Sequence, residues 1–137
     1  MNLIEESPRG PREKIADLVH IPRMIDKARA SRQNTLGEYI YPCPMDKMML
    51  EFLIVDSDTF QEKACSTTEE NLSSWITLQC QNRSPGDKDA INNKILKAHP
   101  DNPEKREFFS EILNKIDPSR TDITTWVDLI DLEEGRL

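Results

Sequence analysis

The stretch PMDKMMLEFL, Pro44–Leu53, decides the fold class. Met45, Met48, Met49, Phe52 and Leu53 recur at i, i+3, i+4, i+7 and i+8. That spacing lays them along one side of a helix of 3.6 residues per turn and fits no strand of period two. Pro44 suits the first helical position, where its missing N–H costs no hydrogen bond. The pairing of a start signal with a helical stripe repeats in both directions along the chain.

Towards the N-terminus, Pro22 sits at the head of a helix to about Ser31, with Ile21, Met24, Ile25 and Ala28 on one face. Before it, Pro11 predicts a short helix through Val19 with Ile15, Leu18 and Val19 turned inward. Towards the C-terminus, Asp56 is a good N-cap for a helix ending near Cys65. Thr67 with Glu70 makes a capping-box pattern ahead of Leu72, Trp75, Ile76 and Cys80. Ser84 before Pro85, with Asp87 in the first turn, and Asn102 before Pro103 start two more. The second of these carries Phe108, Phe109, Ile112, Leu113 and Ile116. A last helix holds Ile123, Trp126, Val127 and Ile130, with Gly135 just past its end, where glycine favours the left-handed stop. Thr121, Asp122 and Thr124 all compete for its cap. The expectation is an all-α fold, a compact orthogonal bundle of seven or eight short helices in a single domain over 1–137. Residues 1–10 are expected to form a loose tail.

Composition narrows the function. The formal net charge is −7, and residues 1–34 carry only seven basic groups against five acidic ones. Nucleic-acid binding through clustered Lys and Arg is therefore not expected. Cys43, Cys65 and Cys80 contain no CxxC and leave one over, which fits a reducing cytoplasm rather than a disulfide framework. His20 and His99 show no metal-ligand spacing to each other or to the cysteines, so no metal or other cofactor is expected. The longest apolar run is near Phe52–Val55 and the first eleven residues are polar. A soluble, cytoplasmic protein follows, with no membrane span or signal peptide.

Two segments carry groups suited to chemistry. On the helix from Pro22, Arg23, Asp26 and Lys27 fall opposite the apolar arc. They form either a solvated face with helical ion pairs, or an anion site in which a guanidinium fork and an ammonium act together. The segment LGEYIYPCPMD, Leu36–Asp46, is a stiff connector, because Pro42 and Pro44 fix φ on both sides of Cys43. Tyr39 and Tyr41 alternate with Ile40 and so point the same way, either plugging a corner of the core or lining a site with Glu38 and Asp46. Cys43 at a helix start has a route to a lowered thiol pKa; free cysteine is otherwise a small buried residue. His20, at a helix break, is read as a structural residue or as an acid–base group. In the last segment Trp126 lies on the apolar face. Asp128, Asp131, Glu133 and Glu134 make an acidic helix end that is either solvated or met by a basic surface.

The motifs PREKIADLVHIPRMIDKARA, LGEYIYPCPMD and RTDITTWVDLIDLEEGR resemble a bacterial family catalogued as domain of unknown function number 5069. The resemblance covers nearly the full length and is densest at 11–53 and 119–136. It implies a small stand-alone domain with no activity to carry over. It also implies that Arg23, Asp26, Lys27, Glu38, Tyr41, Cys43, Asp46 and the segment Thr121–Trp126, including Asp122, are what the family pattern is built on. The function expected first is a binding module with a shallow polar pocket for an anionic small molecule, with Arg23 and Lys27 on the anion and Tyr39 and Tyr41 as its wall. Two alternatives stand beside it. One is a small enzyme using Tyr41, Asp46 and Glu38 or a reactive Cys43. The other is an adaptor or homodimer built on the Met45–Leu53 stripe.

Overall fold

The computed structural model describes all 137 residues. Two short strands, β1 (Lys14–Ile15) and β2 (Leu18–Val19), precede seven helices: α1 (Ile21–Arg32), α2 (Pro44–Leu53), α3 (Ser57–Ser66), α4 (Glu69–Gln79), α5 (Pro85–Leu96), α6 (Pro103–Ile116) and α7 (Trp126–Glu133). The fold is all-α, as the stripes predict. No helix is long and apolar enough to cross a membrane. The chain divides into two compact units, Met1–Asn92 and Asn93–Leu137.

In the first unit α1 packs mainly against α3. Ile21, Met24, Ile25 and Ala28 are fully buried, and so are Met49, Phe60, Leu72 and Ile76 from α2, α3 and α4. Each of these side chains other than Ala28 contributes on the order of 1.5–3 kcal/mol when taken from water. Asp56 caps α3 by accepting from the Thr59 N–H at 2.7 Å. The cap of α4 is Thr68, one residue beyond the expected Thr67. Two further expectations are corrected here. Residues 11–19 form no helix: Lys14 pairs with Val19 and Ile15 with Leu18 in an antiparallel hairpin. Its turn residues, Ala16 and Asp17, have φ of 54° and 63°. Nor are residues 1–10 a loose tail. Leu3 is buried and its N–H donates to the Thr35 carbonyl at 2.9 Å. Gly37 makes this docking achievable, since a Cβ there would lie 2.9 Å from the Leu3 oxygen, and its φ is +62°.

In the second unit Phe109, Ile123, Leu129 and Leu132 form a buried cluster with Ile112, Leu113 and Trp126 packed on it. Thr125 caps α7, and its box partner is Asp128; none of the three expected caps is used. Gly135, at φ +82°, ends the helix as expected. The acidic helix end meets a cation of its own, Arg136, which lies 3.1 Å from Asp131 and 2.7 Å from Glu134.

Candidate functional site

Every residue from Ile21 to Ala28 is buried, Arg23, Asp26 and Lys27 included. Charged groups out of water need partners, and two segments supply them. The first is the N-terminal arm. Arg9 donates to Asp26 from its backbone N–H (2.9 Å), Nε (3.1 Å) and Nη2 (3.0 Å), and also pairs with Glu69. The second is the connector, whose Tyr41–Pro42 peptide is cis. The Arg23 guanidinium stacks 5.4 Å from the Tyr39 ring centroid and donates to the Arg9 carbonyl at 3.2 Å.

The connector ends in a tight polar cluster. Cys43 is the N-cap of α2: its Sγ accepts from the Asp46 N–H at 3.4 Å, while the Asp46 carboxylate accepts from the Cys43 N–H at 2.9 Å. Asp46 is fully buried, with the Lys27 ammonium 2.7 Å from Oδ2 and His20 Nε2 2.5 Å from Oδ1. Lys27 also donates to Cys43 Sγ at 3.2 Å. His20 caps α1 from the left-handed region, φ 72°, with no side-chain bond to the helix, and its Nδ1 is buried without a partner.

These contacts set the charges. Burial alone would raise the Asp46 pKa, but the His20 hydrogen bond and the Lys27 charge bring it down to about 2. Burial lowers the His20 pKa against the opposing pull of Asp46. His20 is therefore a neutral donor through Nε2 to an ionised Asp46, which leaves Nδ1 as a bare lone pair. Burial and the Asp46 charge raise the Cys43 thiol pKa, outweighing Lys27. The helix start does not activate this thiol, because its sulfur sits beside a carboxylate in a desolvated corner.

The sequence candidates fall into three groups. Asp26, Lys27, Cys43, Asp46, Arg23 and Tyr39 gather along the polar face of α1, the four charged groups buried, Cys43 and Tyr39 half-buried, and all of them partnered. Tyr41 turns away to donate to the Ser57 carbonyl at 2.7 Å, and Glu38 is exposed. Thr121, Asp122 and Trp126 belong to the second unit. There Thr121 is exposed, Asp122 pairs with Arg120 at 2.9 Å, and Trp126 meets Phe109 edge-on at 5.2 Å. On the apolar stripe of α2, Met48 and Phe52 are half-buried. Met45, Met49 and Leu53 are buried, and Arg83 covers the Phe52 ring at 4.7 Å.

A second feature lies at the ends of α1 and α3, and sequence reading did not single it out. A depression of about 440 Å3 is lined by Arg29, Arg32, Gln33, Ala64, Cys65 and Thr67. Arg29 is fixed there, donating from Nε to the Ala64 carbonyl at 2.7 Å. Arg32 is exposed and its guanidinium makes no hydrogen bond or ion pair. The only signal in the sequence is two arginines three apart near a helix end, which equally describes a helix answering its own dipole. For a cation the candidate donors are elsewhere: His20, Cys43 and Asp46 bring a nitrogen, a sulfur and an oxygen within 4.8 Å of one another.

No curated protein matches the chain. Residues 5–136 match the model of a family described as Domain of unknown function (DUF5069). That match takes in both units and nearly the full length, and the chain belongs to the DUF5069 family.

Proposed function

We propose that the domain is a binding module for a small anionic molecule, and that the anion sits in the depression at the ends of α1 and α3. The observation that carries this is Arg32, an unpartnered guanidinium on the lip of a cavity of about 440 Å3. That volume is within the range of small-ligand sites. Arg23 and Lys27, the cations first expected to hold the anion, are engaged inside the fold by Arg9, Tyr39 and Asp46. At the depression the opposing helix ends are already answered. Arg29 donates to the Ala64 carbonyl in the last turn of α3 and to the Thr67 carbonyl just past it, and both arginines complement the C-terminal dipole of α1. Arg32 keeps donors in a fixed fork, the geometry that recognises carboxylate or phosphate. Gln33 and Thr67 lie on the same lining.

The enzyme alternative has less behind it. Tyr41 and Cys43 are both held protonated by burial, and Asp46 is fully engaged.

The test is a thermal-shift screen of anionic metabolites with Arg32→Ala as control, a substitution on an exposed side chain. Ligand at one hundred times its dissociation constant stabilises the folded state by about 2.7 kcal/mol, which is readily seen as a rise in Tm. A rise in the wild type that is lost in Arg32→Ala is the expected result. An equal rise in both, or none with any anion, overturns the proposal.

A further inference from the structure

We propose that His20, Cys43 and Asp46 form a binding site for a borderline-soft divalent cation of the Zn2+ type, and that the Lys27 ammonium holds the place of that ion in its absence. The three donors come from two distant segments, the strained cap of α1 and the capping turn of α2, and lie within 4.8 Å of one another. Imidazole, thiolate and carboxylate together are the donor set of tetrahedral zinc sites with one open position, and they select against Mg2+ and Ca2+, which take oxygen.

The independent observation is the His20 ring. It is 1 % exposed, one nitrogen is bound to Asp46, and the other has no partner. Buried nitrogens without partners are rare. Nε2 faces the Asp46 carboxylate and is the nitrogen a cation would take; its proton would pass to the unpartnered Nδ1, which leaves the ring neutral.

Lys27 shows that the position attracts cations. Its ammonium touches both Asp46 Oδ2 at 2.7 Å and Cys43 Sγ at 3.2 Å, the two atoms a metal would bridge. A divalent ion would replace one cation by another between the same ligands, with Cys43 giving up its proton and the flexible Lys27 side chain swinging aside. Charge balances. The metal-free cluster holds one ammonium against one carboxylate. The loaded cluster holds a dication against a carboxylate and a thiolate, once Lys27 has left.

The inference goes beyond the anion site, since it shares no residue with the depression, so each can fail without the other. The experiment is a titration of the full chain with Co2+ followed by Zn2+ competition. A thiolate-to-cobalt band in the near ultraviolet, with the intense visible bands of a four-coordinate ion, is expected in the wild type. The band should vanish in Cys43→Ser, which keeps a good helix cap and so keeps the fold. Lys27→Met should bind at least tenfold more tightly, because the competing ammonium is gone. Metal should also raise its Tm more than it raises that of the wild type. Absence of the band in the wild type overturns the site, and so does a band that survives in Cys43→Ser. An unchanged affinity in Lys27→Met overturns the role given to Lys27.

Discussion

Asp46 shows how one side chain can hold a fold and a site together. It is fully buried, yet it accepts from the Cys43 N–H, faces the Lys27 ammonium and takes the His20 N–H. Replacing it by Asn keeps the shape and removes the charge. Lys27, 3 % exposed, then sits in the interior with no counter-charge. Breaking a buried pair from one side costs about 3–5 kcal/mol, so Asp46→Asn should lower the urea midpoint by that equivalent at pH 7. A loss under 1 kcal/mol would mean that Lys27 reaches solvent in the variant, and that the ammonium is not tightly held in the wild type either.

At the scale of elements, the helices with a proline or a polar cap at the head of an apolar stripe were legible, because both signals are local. Pro44, Asp56, Ser84 and Asn102 all mark real starts. The hairpin at 14–19 was not legible. Its turn contains no glycine, and it is held by groups more than seventy residues away. Asn92 accepts from the Val19 N–H at 2.9 Å and donates to the Asp17 carbonyl at 2.8 Å, and Lys88 donates to the Ala16 carbonyl at 3.0 Å. Chain-local reasoning sees Ile15, Leu18 and Val19 and completes a helix. The burial of the charged face of α1 was hidden for a related reason. Arg9, which neutralises Asp26, lies in a segment whose composition reads as a tail. Lys27, Cys43 and Asp46 were thus legible as polar residues but their meeting point was not, and the depression beside Arg29 and Arg32 was not legible at all. Asn92 offers the test at this scale. Asn92→Ala leaves a buried N–H and a carbonyl unanswered, each worth about 1–3 kcal/mol. Denaturation should show a loss of about 2–4 kcal/mol, and hydrogen exchange at Val19 should speed up with it.

For the molecule as a whole, the buried cluster makes stability depend on pH in a definite direction. The folded pKa of His20 lies below its ordinary 6.5, because burial disfavours the charged ring. Below pH 6.5 the unfolded chain takes up a proton that the folded one refuses, so stability falls as pH falls and is complete above that value. Asp46 acts in the same direction at lower pH. Its folded pKa of about 2 lies under the ordinary 3.8, so its contribution of about 2 kcal/mol is present above 3.8 and is lost as pH falls towards 2. The other carboxylates with lowered pKa values act only below about 4.5. Among the groups with shifted pKa, the window from pH 6.5 down to 5 therefore belongs to His20. Urea midpoints across pH 5–8 should hold level down to about 6.5 and then decline by at most about 1.4 kcal/mol per pH unit, the slope of one proton. In His20→Gln, whose side chain carries no titratable group, the same window should be flat. Stability that instead rises on acidification would mean that His20 is protonated in the fold and paired as a cation with Asp46. Its lone pair would then be occupied, and the metal site would lose its nitrogen ligand. The profile thus tests the protonation state on which both the packing of the cluster and its capacity to hold a cation depend.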